Sequence, residues 1–132
     1  MSTFESIEEA RAFFVGDRFA AVNGMTIEEL NEKGCLCAMT VRDDHRNAIN
    51  GIMGGVIYTL ADFAYAVAAN NDHKPTVALS ADAHFLSMSK GTRLFARATR
   101  EKSGKTTCVY RIDVTDDLDK DIALVVITGY KL

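Results

Sequence analysis

One acid interrupts the most apolar stretch of the chain. The segment NGIMGGVIYTLADFAYAVAAN runs from Asn50 to Asn70, and after Gly54-Gly55 its main break is Asp62. An ionised carboxylate in a buried element is costly unless something compensates it. The alanine content and length predict a helix from Gly54 to about Asn70. On that helix Tyr58, Asp62 and Tyr65 fall on one side, while Val56, Leu60, Ala64 and Val67 mark another, suited to packing on a sheet. Asp62 is then either a surface charge or a base on a protected face.

The glycines pose a matching question. First-turn N–H groups of a helix have no intrahelical partner. Without Cβ atoms, the backbone at Gly54-Gly55 lets a ligand come close. Those N–H groups and the helix dipole suit a carbonyl oxygen that becomes negative. Tight helix entry explains the pair equally well. A phosphate loop does not: no Lys-Ser/Thr follows, and Gly51, Gly54 and Gly55 do not match GxGxxG. Eight residues at ~1.5 Å rise put Asp62 ~12 Å along the helix from Gly54. One helix cannot set both groups on one carbonyl, but two helices across a dimer can.

Other elements must position that helix. Ser6 followed by Glu9 is a capping box, predicting a helix from near Ile7. A second short helix covers Arg18 to Val22, with Gly24 past its end. Met25 to Leu30 and Cys35 to Val41 flank a polar, glycine-ended turn and read as a hairpin. Asp43 to Asn47 is polar loop. After the helix, Thr76 to Leu86 alternates, with Leu79, Ala81, Ala83 and Phe85 on one face and Ser80, Asp82 and His84 on the other. Thr92 to Glu101, Thr106 to Asp116 and Ile122 to Tyr130 complete a meander. The expectation is one α+β domain over residues 1–132, with short helices in 1–24 and the core in 25–132. An open antiparallel sheet leaves bare edges, so a homo-oligomer is expected.

Bulk properties narrow the function classes. The 132 residues suit one domain, and 48% hydrophobic content can fill its core. A net charge of -3 gives no basic signature of nucleic-acid or anionic-membrane binding. The apolar run is too short to span a bilayer and carries Asp62. The N-terminus has acids and no basic leader, so it does not read as a secretory signal. Cys35, Cys37 and Cys108 form no disulfide framework and read as reduced core thiols of a cytoplasmic protein. His45, His73 and His84 lack zinc-site spacing, so no metal is expected.

The combination is more specific than its parts. Asn47, then Met53-Gly54-Gly55, then Leu60-Ala61-Asp62, in NAINGIMGGVIYTLAD, resembles the signature of hotdog-fold acyl-CoA thioesterases of the phenylacetate-pathway type. The likeness continues through ALSADAHFLSMSKGTRLFARA and EKSGKTTCVYRIDVTD, about residues 25–132. It implies a hotdog fold: a long central helix wrapped by a curved antiparallel sheet. It also implies a homodimer, commonly a dimer of dimers, with active sites at the dimer interface.

The implied activity is hydrolysis of an acyl- or aryl-CoA thioester, with coenzyme A as part of the substrate and no separate cofactor. The acid matching Asp62 would be general base or nucleophile. The Gly54 N–H would polarise the carbonyl, Asn47 would help place water or carbonyl, and Ser80 would support the acid. Met53, Gly55, Tyr58, Tyr65 and His84 are expected to line the substrate site. Met53 stands where the family has histidine, and it can neither titrate nor donate a strong hydrogen bond. That substitution keeps open a non-catalytic acyl-CoA binding protein. A dehydratase ranks last, since no histidine-containing acid–base pair is evident. Lys90, Arg93, Arg97, Arg100 and Lys102 could meet coenzyme A phosphates or simply solvate strand edges.

Overall fold

A computed structural model describes residues 2–132. Two short helices come first, α1 (Ile7–Phe14) and α2 (Arg18–Val22), then the hairpin β1 (Thr26–Asn31) and β2 (Gly34–Thr40). A 3-10 turn at Asp43–His45 leads to the long helix α3 (Gly54–Asp72). Four strands follow: β3 (Thr76–Phe85), β4 (Arg93–Ser103), β5 (Thr107–Asp116) and β6 (Asp121–Lys131). They form one six-stranded antiparallel sheet in the order β1-β2-β4-β5-β6-β3. A long helix packed on one antiparallel sheet is the α+β hotdog arrangement. No helix among the described residues is long and apolar enough to cross a membrane.

Local chemistry explains the element ends. The Ser6 hydroxyl accepts the Glu9 N–H at 3.1 Å, which starts α1; the Glu9 carboxylate accepts from Glu5 N–H, one residue before the cap. Asp17 caps α2 through the Ala20 N–H, and Gly24 ends it at φ 72°, the left-handed region. The α3 exit is fixed by Asn70. Its amide donates to the Ala66 and Thr76 carbonyls, and its oxygen accepts the Thr76 N–H.

The core sits between α3 and one face of the sheet. Leu60, Ala64 and Val67 are fully buried there with Ile112, Val114, Val125 and Ile127. Each large apolar side chain so buried contributes roughly 1.5–3 kcal/mol. Cys35 and Cys37 share the buried face, as their spacing predicts, and the Cys35 thiol donates to the Ala64 carbonyl at 3.1 Å. α3 packs mainly over β2, β4 and β5.

β3 is different. It forms the free edge beyond β6, and from Val77 to Phe85 only Ala83 is partly covered. Leu79 falls at a register irregularity and is 61% exposed. A long bare edge carrying exposed apolar side chains is a pairing surface or an aggregation liability.

Candidate active site

The start of α3 is uncapped. Met53 occupies the cap position and makes no side-chain capping bond. The first helical amides to find a partner are those of Val56 and Ile57, both on the Met53 carbonyl. The N–H groups of Gly54 and Gly55 have no partner among the described residues, and they sit at the positive end of the helix dipole. Beside Gly54 opens a cleft of about 410 Å³ lined by Ile52, Gly54, Ile57, Phe85, Leu86, Ser87, Met88 and Ser89. A Cβ on Gly54 would meet the Phe85 ring at 3.4 Å, so the glycine leaves the backbone open at the cleft wall.

A compact loop holds this end in place. The Asn47 side-chain oxygen accepts the Ile49 and Gly51 N–H groups, at 3.1 and 3.0 Å. The Asn47 N–H donates to the Gly51 carbonyl at 2.8 Å. Its side-chain NH2 has no partner among the described residues and remains able to donate. Asn50 adopts φ 65°, a left-handed conformation that asparagine tolerates. Arg46 and Ile52 form a single antiparallel bridge. The Met53 N–H then donates to the His45 carbonyl at 2.9 Å. Asn47 and the free amides therefore belong to one rigid clasp.

Asp62 lies two turns along α3. It is partly buried, and no hydrogen bond or ion pair holds its carboxylate among the described residues. Burial first, then the nearby charge of Asp17, push its pKa above the usual carboxylate value. A shielded, unpartnered acid with a raised pKa suits a general base. Tyr58 stands beside it: burial, then the Asp62 charge, raise the phenol pKa.

The remaining expected site residues divide. Met53 is 48% exposed and its terminal methyl lies over Gly55, at the same end of α3. Tyr65 does not join the polar stripe. It is 2% exposed, and its hydroxyl donates to the Val77 carbonyl at 3.1 Å. The reason is that Tyr65 sits where the stripe turns toward the sheet, and Gly129 of β6 leaves room for its hydroxyl. His84 also falls outside the cleft. Register sets Ala81 and Ala83 opposite the buried Ile127 and Val125, so Ser80, Asp82 and His84 lie on the face away from α3. His84 pairs there with Asp82 at 3.2 Å. Within one protomer no hydrogen bond joins Ser80 to Asp62. Arg93, Arg97 and Arg100 are each engaged with a carboxylate, of Glu28, Glu29 and Asp72.

Three contributors were not singled out from sequence as parts of the site: Asp17, His45 in its actual role, and the Phe85–Ser89 wall. Asp17 was readable only as a helix break. The Gly16-Asp17 pair marks a break between two helices, but not that the Asp17 charge falls near Asp62. No group of three His, Cys, Asp or Glu side chains that could hold a metal occurs among the described residues.

Comparison with known proteins identifies the family. Residues 50–123 match the thioesterase superfamily. The acyl-coenzyme A thioesterase PaaI of Escherichia coli is 31% identical over 118 residues, 89% of this chain and 84% of that protein. The solved structure of E. coli PaaI, from the phenylacetic acid degradation operon, superposes with a TM-score of 0.89 at 29% identity, covering 93% of this chain and 90% of that one. A point variant of the phenylacetic acid degradation protein PaaI from Thermus thermophilus superposes with a TM-score of 0.83 at 32% identity, covering 88% and 100%. The signature around Gly54 and Asp62, the long helix on its sheet and these relatives converge: the chain belongs to the thioesterase superfamily, as a hotdog-fold thioester hydrolase of the PaaI-like type.

Proposed function

We propose that the protein hydrolyses an acyl- or aryl-CoA thioester at a site completed by a second copy of the chain. One observation carries the reading. The unpartnered amides of Gly54 and Gly55 and the unpartnered carboxylate of Asp62 lie on one helix, ~12 Å apart along its axis. Both belong to a single carbonyl only if two helices meet. The free β3 edge, with Val77, Leu79 and Phe85 exposed, is the surface on which two protomers would join sheets.

The chemistry then runs as follows. A thioester carbonyl lies against the Gly54 N–H of one protomer. Asp62 of the partner subunit removes a proton from water as the water oxygen attacks the carbonyl carbon. The developing oxyanion is held by the backbone N–H, and the Asn47 amide orients water or carbonyl. Collapse breaks the C–S bond, the leaving sulfur takes the proton back from Asp62, and free acid and the coenzyme A thiol are released. In the nucleophilic variant the Asp62 carboxylate attacks the carbonyl carbon, the C–S bond breaks to expel the coenzyme A thiolate, and water then cleaves the resulting anhydride to free acid and the Asp62 carboxylate. The cleft beside Phe85 and Met88, lined also by Ile52, Ile57 and Leu86, would take the acyl or aryl end.

The test is release of free thiol from a panel of aryl and medium-chain CoA thioesters by the parent and Asp62→Asn chains. Equal activity of the two would remove Asp62 from its role. The uncapped, non-donating Met53 favours one second reading, acyl-CoA binding without turnover. Calorimetric binding with no thiol release would select it, and Met53→His would then restore hydrolysis.

A further inference from the structure

His45 is 2% exposed, yet every polar atom it has is used. Its Nδ1 accepts the Arg42 N–H at 2.9 Å. A backbone N–H can only donate, so Nδ1 is unprotonated and the proton sits on Nε2. That proton goes to the side-chain oxygen of Asn23, at 3.0 Å, at the end of α2. The His45 N–H donates to the Arg42 carbonyl, and its own carbonyl accepts the Met53 N–H. Arg42 adds a further tie, from its guanidinium to the Val22 carbonyl at 2.9 Å. One buried ring therefore joins three things: the end of α2, the 3-10 turn, and the residue on which α3 begins.

We propose that His45 is the positioning residue of the site: its uncharged ring locks the clasp that aims the Gly54 and Gly55 amides and the Asn47 side chain. The inference rests on the reading of Gly54 as oxyanion donor. The mechanism of coupling is short. Arg42 N–H to Nδ1 fixes the turn; the turn fixes the His45 carbonyl; the carbonyl fixes Met53 N–H; and the next two amides are the free ones. Protonating Nδ1 puts two donors face to face and opens the turn. The charged groups acting on the ring are Arg42 and Asp44 of its own turn; α2 presents the uncharged Asn23, and α3 presents only the Met53 N–H to the His45 carbonyl. Burial, and then Arg42, hold the ring below the usual histidine pKa, so the clasp stays closed at neutral pH.

Three variants separate positioning from packing. His45→Asn keeps an acceptor near Nδ1. His45→Gln keeps a donor near Nε2 and loses that acceptor. His45→Phe keeps bulk alone. The expected result is that His45→Asn retains most of the parent activity. His45→Gln and His45→Phe lose about 100-fold in kcat with KM little changed, as for a misplaced catalytic group. In the parent, Asp62 and His45 must both be unprotonated, so log kcat/KM falls on the acid side with a slope approaching about two. In His45→Asn the slope is about one. If His45→Phe fails to fold, the Asn and Gln variants still decide. Equal activities in all variants, or equal losses, overturn the proposal.

A second readout does not depend on turnover. The Gly54 and Gly55 amide signals of the parent should titrate with the midpoint of the His45 ring, and hold still in His45→Asn. Motionless amides in an active parent overturn the positioning role. Titrating amides in a parent that hydrolyses no thioester overturn the oxyanion reading instead and leave the clasp intact.

Discussion

Gly54→Ala separates what the fold needs from what the chemistry needs. Gly54 is the first residue of α3 and has ordinary helical backbone. A methyl there would lie 3.4 and 3.5 Å from two Phe85 ring carbons, which is normal contact. Nothing in the fold resists it. Alanine in place of glycine at a compatible position removes freedom from the unfolded chain and stabilises by about 0.4–1 kcal/mol. For a chain of this size that raises Tm by about 1–4 °C. The same methyl occupies the cleft wall next to the free N–H, where the carbonyl must come within hydrogen-bond reach. Displacing a reacting carbonyl by about 1 Å costs on the order of 100-fold. The expected chain is therefore more heat-stable and about 100-fold less active. Thermal melts followed by circular dichroism and a thiol-release assay measure the two effects separately. Parent-level activity in a well-folded Gly54→Ala chain would refute the close approach of substrate to backbone. A lowered Tm would refute the reading of Gly54 as unstrained.

Asp62→Asn has a signed pH signature. Because burial and Asp17 raise the Asp62 pKa in the folded protein, folding is opposed by its charge at neutral pH, and stability is recovered as pH falls through the raised value. Asp62→Asn should be the more stable chain at pH 7, with the margin closing toward pH 4 in denaturant titrations, while hydrolysis drops about 100- to 10,000-fold. Gly129→Ala drives a methyl into the Tyr65 hydroxyl and against the Cys108 sulfur; overpacking of this kind costs about 1–3 kcal/mol, and an unchanged chemical-denaturation midpoint would count against it. Leu79→Arg places a charge on the exposed β3 edge and should leave a folded, monomeric, inactive chain; an active dimer by light scattering would sink the shared-site reading.

Much of the fold was legible because its signals are local. The Ser6 cap, the glycine stop at Gly24 and the alternation in the strands each act within a few residues. Strand order was less so. β3 follows α3 in sequence but pairs with β6 at the far edge, from Thr76 with Lys131 to Phe85 with Ala123, and no local pattern announces so distant a partner. The site shows the same split. Gly54 and Asp62 could be placed from spacing on one helix. Tyr65 could not, because its direction depends on Gly129 across the sheet. Ser80 and His84 shared a face, as alternation required, yet which face met the helix was decided by pairing with Thr128 and Leu124. His45 was visible only as a nearby histidine; its role depends on Asn23, Arg42 and Met53 converging on it.

The unpartnered amides at the head of α3 have a genetic consequence. A donor made by the peptide bond is not encoded by any codon. Every substitution at Gly54 except proline preserves the N–H, and proline is a residue that the first turn of a helix accepts. Asp62, by contrast, can be lost by a single change. The Phe85–Ser89 wall and the residue at position 53 can therefore change while the donor itself persists; what a substitution at Gly54 removes is the room beside the N–H, not the N–H.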